Sequence, residues 1–238
     1  MVIVQIYTYY IVEDALAIAR LGADHIGITV MGELWKNKVY LKDPAWREVF
    51  EKTTLDVVRE IFRLVKGKVK RVFMPLSDDL DEMVYMFRYV DGDILHLINA
   101  FNREEFREVK KKIGAGQLMA SIFLTKGGFE ENRREVERAL EIDDVVDYLL
   151  LDTKVGEWAG VTGKTHNWNI SKYIVENSKA KVILAGGLNP DNVVDALDKV
   201  GPHGVDSCTG LDVRPGKKDL RKVEEFIRRV REWEKTRA

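Results

Sequence analysis

The sequence has a single cysteine, Cys208, among its 238 residues. That excludes an intrachain disulfide and any metal site built from several thiolates. Prolines number only five, and no Pro- or Ser-rich linker or low-complexity stretch interrupts the chain, so one domain over residues 1–238 is expected. No apolar run approaches the ~20 residues that cross a bilayer. The opening residues MVIVQIYTYY have neither the basic region nor the cleavage site of an export signal, so a cytoplasmic location is expected. Net charge is nearly absent at -1, which gives no bulk attraction to nucleic acid or anionic membranes.

One glycine is missing where it would matter most. The segment LLLDTKVGEWAGVTGKTHNW, residues 149–168, holds Gly163-Lys164-Thr165, the tail of a nucleotide-binding P-loop. That motif needs a glycine five residues earlier so that backbone N–H groups can curl around phosphates. Trp158 stands there instead, and His166-Asn167-Trp168 separate the segment from the next helical pattern. A nucleotide loop is therefore not expected.

What the chain does have is apolar substance and charge of both signs. Hydrophobic residues make up 45% and charged residues 32%, the latter above the usual quarter or so. Dense opposite charges on helix faces fit a thermophilic origin. Short β-branched runs alternate with longer amphipathic segments. The predicted strands are residues 2–7, 25–30, 71–76, 94–98, 118–124, 147–152, 181–186 and 204–209. Several are apolar on both faces, as parallel strands covered on both sides should be. Asp43-Pro44 predicts the start of a long helix over 44–67, and Asn189-Pro190 the start of another that Gly201 closes. About eight strand–helix units at this length predict an α/β fold, the (β/α)8 TIM barrel. A doubly wound open sheet lacks its glycine-rich turn here, since QIYTYYIVED contains no glycine.

In such a barrel the loops after the strands carry chemistry, and those after strands 7 and 8 commonly hold phosphate. Strand 7 runs into LAGGLNPDN, where Gly186 and Gly187 permit close backbone approach ahead of a helix N-terminus. Strand 8 runs into DSCTGLDV, where Thr209 and Gly210 offer a hydroxyl and bare amides. These four residues are the candidate phosphate grip.

The segments LLLDTKVGEWAGVTGKTHNW, VILAGGLNPDNV and HGVDSCTGLDVRPGKKD together resemble the matching segments of the phosphoribosylanthranilate isomerase family, tryptophan-pathway TIM barrels. The likeness is strong from Leu149 onward and weaker, though collinear, before it. The resemblance implies an Amadori-type aldose–ketose isomerisation of a phosphoribosyl substrate by general acid and base, with no metal and no cofactor. It implies a lid in the segment containing Gly160, Thr162, Gly163 and Lys164. It also implies that Asp152 is the acid and that Asp206 orients the substrate in the same cavity.

The N-terminal half departs from the family pattern. Tyr7 stands where the family carries the cysteine that acts as base, Ile98 replaces a histidine, and Lys38-Val39-Tyr40 lacks an arginine. A phenol is a poorer source of base than a thiol at neutral pH by roughly 2 kcal/mol. Tyr9, Asp24, His25 and His96 remain alternative bases. The expectation is thus a phosphosugar isomerase with altered substrate or base; the alternative is a non-catalytic phosphosugar-binding paralogue acting as sensor or partner protein. Trp46, Phe50 and Trp233 fit either an internal core or a homodimer contact.

Overall fold

The computed structural model describes residues 1–32, 43–155, 158–159 and 164–237. Its framework begins with β1 (Ile3–Thr8), α1 (Val12–Leu21), β2 (His25–Met31), α2 (Pro44–Lys52), α3 (Leu55–Val65), β3 (Lys70–Leu76), α4 (Leu80–Tyr89) and β4 (Ile94–Leu97). It continues through α5 (Arg103–Ile113), β5 (Gln117–Leu124), α6 (Phe129–Ile142), β6 (Tyr148–Val155), β7 (Trp158–Ala159) and α7 (Trp168–Asn177). The chain ends with β8 (Lys181–Leu184), α8 (Val193–Val200), β9 (Gly204–Ser207), the short β10 (Asp212–Arg214) and β11 (Lys217–Lys218), and α9 (Leu220–Lys235). Strands β1 to β6, β8 and β9 pair in parallel, and pairing of β5 with β6 and of β1 with β9 closes the barrel. β7 is a small antiparallel addition to the end of β6.

Alternation along each strand divides the apolar residues into two cores. Val4, Ile6, Ile26, Ile28, Phe73, Leu95, Leu118, Leu149, Leu151, Val182 and Val205 face the helices. Tyr7, Val72, Ile94, Met119, Tyr148, Leu150, Ile183 and Ala185 fill the barrel interior. Near the N-terminal end, inward Gln5 and His25 satisfy one another at 3.0 Å, and burial lowers His25 to about 4, so its ring is neutral. Arg71 on that same end is held by Asp93 at 2.6 Å and Asp91 at 2.9 Å. Arg231 of α9 reaches Asp24, whose carboxylate also accepts from the Val4 N–H at 2.7 Å.

Two helix expectations need correction. The long helix after Asp43-Pro44 is two helices broken at Thr53-Thr54. Thr53 turns its hydroxyl onto the Val49 carbonyl at 2.6 Å, and Thr54 caps α3 by accepting from the Val57 N–H. Local hydroxyl bonding competes with helix continuation at these two residues. The helix after Asn189-Pro190 starts later, at Val193, because the Asn189 side chain accepts from the Asp191 N–H and makes a turn of its own. Gly201 closes α8 as expected, with φ of 64°.

Tyr7 fits inside the barrel only because its register neighbour on β2 is Gly27. A Cβ added at Gly27 would lie 2.5 Å from the Tyr7 ring. Gly27→Ala is therefore expected to destabilise the fold by about 1–3 kcal/mol, read as a lowered urea midpoint. Tyr7→Cys in the same chain should recover much of that loss, because the smaller side chain vacates the overlap.

Candidate active site

The C-terminal ends of the strands form a mouth, and strand parity delivers several titratable groups to it. Tyr7, Asp152, Asp206 and Cys208 all stand on inward positions of β1, β6 and the β9 end, close enough to perturb one another electrically. Asp152 is half-buried in the C-terminal half of β6, with Oδ1 accepting from the Thr153 N–H at 2.7 Å. Burial pushes its carboxyl up to about 6. Asp206 is 7% exposed. Burial first, and then the neighbouring Asp152 charge, push it up to about 8, while a hydrogen bond with Gln5 opposes the rise. Its Oδ1 has no hydrogen-bond partner among the described residues. Two carboxyls sharing poorly solvated space cannot both ionise readily, so the pair retains a proton at neutral pH.

Tyr7 and His96 are joined by a hydrogen bond from the phenol oxygen to Nδ1. Burial, and then the charges of Asp206, Cys208 and Asp152, hold the phenol well above its ordinary value. Burial alone lowers His96 to about 3. A protonated phenol and a neutral ring fix the roles: Tyr7 donates to Nδ1, and Nε2–H donates to Ser121 Oγ at 2.8 Å. Both ring nitrogens are thus committed. Of the other alternative bases, His25 lies deep in the barrel with Gln5, and Asp24 lies on the opposite end with Arg231. Tyr9 sits over the mouth, edge-on to Trp46 at 5.6 Å and Phe50 at 6.2 Å. Trp46 and Phe50 therefore contact their own chain. Trp233 packs against the outer core and donates from Nε1 to Asp198 at 2.8 Å.

The two glycine-bearing loops meet beside the carboxyls. Gly186 and Gly187 have φ of 81° and 67°, the left-handed region that other residues enter at a cost. At Gly186 a Cβ would also lie 2.2 Å from Thr153 Oγ1. Neither N–H joins the backbone hydrogen bonds of the described loops. Asn192 shapes the turn by donating to the Gly187 carbonyl at 3.0 Å and accepting from the Asn189 N–H at 2.9 Å. The second loop, with Thr209 and Gly210 in a single 3-10 turn, is pressed against the first: Ser207 Oγ donates to the Leu188 carbonyl at 2.6 Å. A Cβ on Gly210 would fall 2.2 Å from that same carbonyl oxygen.

The residues around the expected lid divide at the boundary of description. Gly160, Thr162 and Gly163 lie outside the described residues, as do Trp35 and Lys38 to Tyr40. Lys164 is described and exposed. Just beyond it, His166 is buried, bonded through Nδ1 to Thr153 Oγ1 at 3.0 Å and through Nε2 to Ser171 Oγ at 2.6 Å. Asn167 donates to the Gly127 carbonyl at 3.0 Å. His166 was not among the residues singled out by motif; its signal would have been the neighbouring Asn167 helix cap that holds the segment in place.

The PGKKD motif also acquires a structural account. Lys217 pairs with Asp14 of α1, Asp14 also accepts from the Lys218 N–H at 2.9 Å, and Asp219 caps α9. Lys218 turns its fully buried side chain back to Asp212 and to the Cys208 carbonyl at 2.8 Å. Among the described residues no cluster of three or more His, Cys, Asp or Glu is placed to hold a metal, and no helix is long and apolar enough to cross a membrane.

A closed parallel barrel whose mouth gathers paired carboxyls beside glycine-lined loops defines the class, a (β/α)8-barrel enzyme. Residues 102–229 match the sequence profile described as N-(5'phosphoribosyl)anthranilate (PRA) isomerase. The N-(5'-phosphoribosyl)anthranilate isomerase of Methanocella arvoryzae is 32% identical over 219 residues, 92% of this chain and 93% of that protein. That of Aquifex aeolicus is 35% identical over 220 residues, with 92% and 93% covered. The crystal structure of the Thermotoga maritima enzyme superposes with a TM-score of 0.78 at 27% identity, covering 98% of this chain and 100% of the other. The chain belongs to the N-(5'-phosphoribosyl)anthranilate isomerase family, a family of isomerases.

The Asp206 carboxyl makes stability pH-dependent with a definite sign. Its folded value of about 8 stands above its ordinary 3.8. The folded state therefore keeps a proton that the unfolded chain releases. The associated stability is full below about pH 4 and is lost as pH rises through about 8. Asp206→Asn removes this liability. Thermal melts should show the variant more stable than the parent at pH 9, by on the order of a few kcal/mol, with the gap closing toward pH 4.

Proposed function

We propose that this chain isomerises N-(5'-phosphoribosyl)anthranilate, or a close phosphoribosylamine, from its aldose to its ketose form. The observation that carries the reading is the pair Asp152 and Asp206, both with raised pKa, facing the two glycine loops. The phosphate is read as seated on the amides of Gly186, Gly187, Thr209 and Gly210, near the start of α8. Dianion charge there is favoured by unused N–H groups and by the helix dipole.

With the phosphate fixed, the ribose ring reaches the carboxyls. Protonated Asp152 gives its proton to the ring oxygen, the bond from that oxygen to the anomeric carbon breaks, and the nitrogen lone pair forms an iminium. A base then takes the proton from the adjacent carbon, and that C–H pair becomes the new C=C as the iminium collapses to an enamine. Reprotonation on the anomeric carbon, with the hydroxyl proton of the adjacent carbon passing back to the Asp152 carboxylate, yields the ketose and restores the acid. A value near 6 suits Asp152 to donate near neutrality and to be reprotonated for the next cycle. Asp206, protonated in the resting site, is read as a hydrogen-bond partner for a ribose hydroxyl through its open Oδ1. The raised carboxyl pair supports turnover over a purely phosphosugar-binding role, since binding an anion gains nothing from a proton donor held at that cost.

Turnover of N-(5'-phosphoribosyl)anthranilate tests the reading. Asp152→Asn should lower kcat by about 100- to 10,000-fold with a much smaller effect on KM. An unaltered kcat would remove Asp152 from the chemistry. Gly210→Ala, which drives the second loop off the Leu188 carbonyl, should instead raise KM and the inhibition constant of inorganic phosphate, each by about tenfold. A change confined to kcat would place the phosphate elsewhere.

A further inference from the structure

The proposed chemistry needs a proton acceptor, and the mouth offers few. Tyr7 donates to His96 and is held protonated. Both nitrogens of His96 are occupied. Asp152 is the donor, and Asp206 is held protonated by its surroundings. Among the described residues two groups remain: Tyr9, whose phenol burial holds well above its ordinary value, and the chain's only thiol. β1 and β9 pair in parallel with Gln5 opposite Asp206 and Ile6 opposite Ser207. One residue further on, Cys208 comes level with Tyr7, on the inward parity of Asp206 two positions before it. It packs at the rim of the inner core and is partly open to solvent.

The sulfur has two polar side-chain partners among the described residues, one of them a cation. Tyr9 Oη lies 3.5 Å from Sγ, and the Lys218 ammonium, wholly buried, lies 3.9 Å from it. Burial favours the thiol, and against it the Lys218 charge favours thiolate. An independent feature marks the same spot as a ligand position. Asp206 is more than nine-tenths buried, and its Oδ1, next along this face, has no partner among the described residues.

We infer that the Cys208 thiolate is the base that removes the proton from the ribose carbon beside the anomeric centre. The inference rests on the isomerase reading above. In the step, the C–H bond breaks, an S–H bond forms, and the freed electron pair moves into the iminium. The thiol proton is then returned to the anomeric carbon, which restores the thiolate without an outside reagent. The resemblance places a family cysteine on the first strand. Here Tyr7 and His96 fill that place as a fixed hydrogen-bonded pair, and the thiol stands one strand over, just past the end of β9. Burial pushes the free thiol up to about 11, with Lys218 opposing the rise. Donor near 6 and acceptor near 11 are then oppositely protonated to the working form. That working form is a small but constant fraction above about 6, and Asp206 leaves its protonated form near 8, so kcat/KM should be flat from about 6 to about 8 and fall on either side.

Three variants read against the parent enzyme test the assignment. Cys208→Ser and Cys208→Ala should each lower kcat by about 100-fold or more while KM moves by less than about threefold. Circular dichroism melts establish that both are folded. In the Cys208→Ala background, Tyr7→Cys should recover at least about tenfold in kcat by returning a thiol to the neighbouring strand. Iodoacetamide, which has one cysteine to attack, should abolish turnover of the parent, and inorganic phosphate together with anthranilate should slow the loss. A parent that turns over the substrate while folded Cys208→Ala keeps more than about a tenth of its kcat overturns the thiol's role and leaves the isomerase reading standing. A parent with no turnover overturns the isomerase reading, and this inference with it.

Discussion

Closure of the barrel with strict two-residue alternation is the constraint on which everything at the mouth depends. Once β5 pairs with β6 and β1 with β9, no barrel strand has a free edge, and a barrel side chain must point either to the helices or to the axis. A slip of one residue in β9 would turn Asp206 and Cys208 toward the helices and bring Val205 and Ser207 inside. The apolar content of Val4, Ile6, Ile26, Ile28 and Val205 on the outer face penalises that slip at every helix contact. The position of the chemistry is thus enforced by residues that never approach a substrate.

Burial at the mouth then does work that distance alone would not. Asp152, Asp206, Tyr7 and Cys208 are all displaced toward their neutral forms, and desolvation is the largest cause in each. The compensating cation is Lys218, which is held on a hairpin rather than on a barrel strand. That hairpin is tied to α1 through Asp14 and to α9 through the Asp219 cap. The charge that steadies one side of the mouth is accordingly anchored in two helices of the outer layer, which couples the local electrostatics to global packing. On the other side, Gly186 rests against Thr153 and His166, so the loop after β8 and the residues leading into α7 share one buried support.

Much of this was legible before any coordinates. Strand positions came out within a few residues, because β-branched runs bounded by turn residues are a strong local signal. Asp152 and Asp206 are singled out by the family resemblance, and the glycine loops by their place after strands 7 and 8. What could not be read is long-range. The partner of Tyr7 is His96, 89 residues away, and only register brings them together; periodicity within either strand says nothing about it. The two-helix break at Thr53-Thr54 was hidden because β-branched hydroxyl residues suit both a helix interior and a cap until tertiary packing selects one. The burial of Lys218 depends on the hairpin folding back, which no local pattern encodes.

Tyr7 shows how a substitution at a chemically sensitive position is accommodated. The phenol needs space, which Gly27 supplies, and a hydrogen-bond acceptor in an apolar interior, which His96 supplies. His96 in turn needs Ser121 to complete its second nitrogen. The four residues lie on β1, β2, β4 and β5, so the change on β1 is absorbed by a chain of contacts across half the barrel. A buried phenol without that acceptor would cost on the order of 1–3 kcal/mol. The network therefore accounts for Tyr7 as a satisfied structural element on one wall of the mouth. Asp152, Cys208 and the two glycine-bearing loops are left together on the opposite arc, from β6 through β8 to the end of β9.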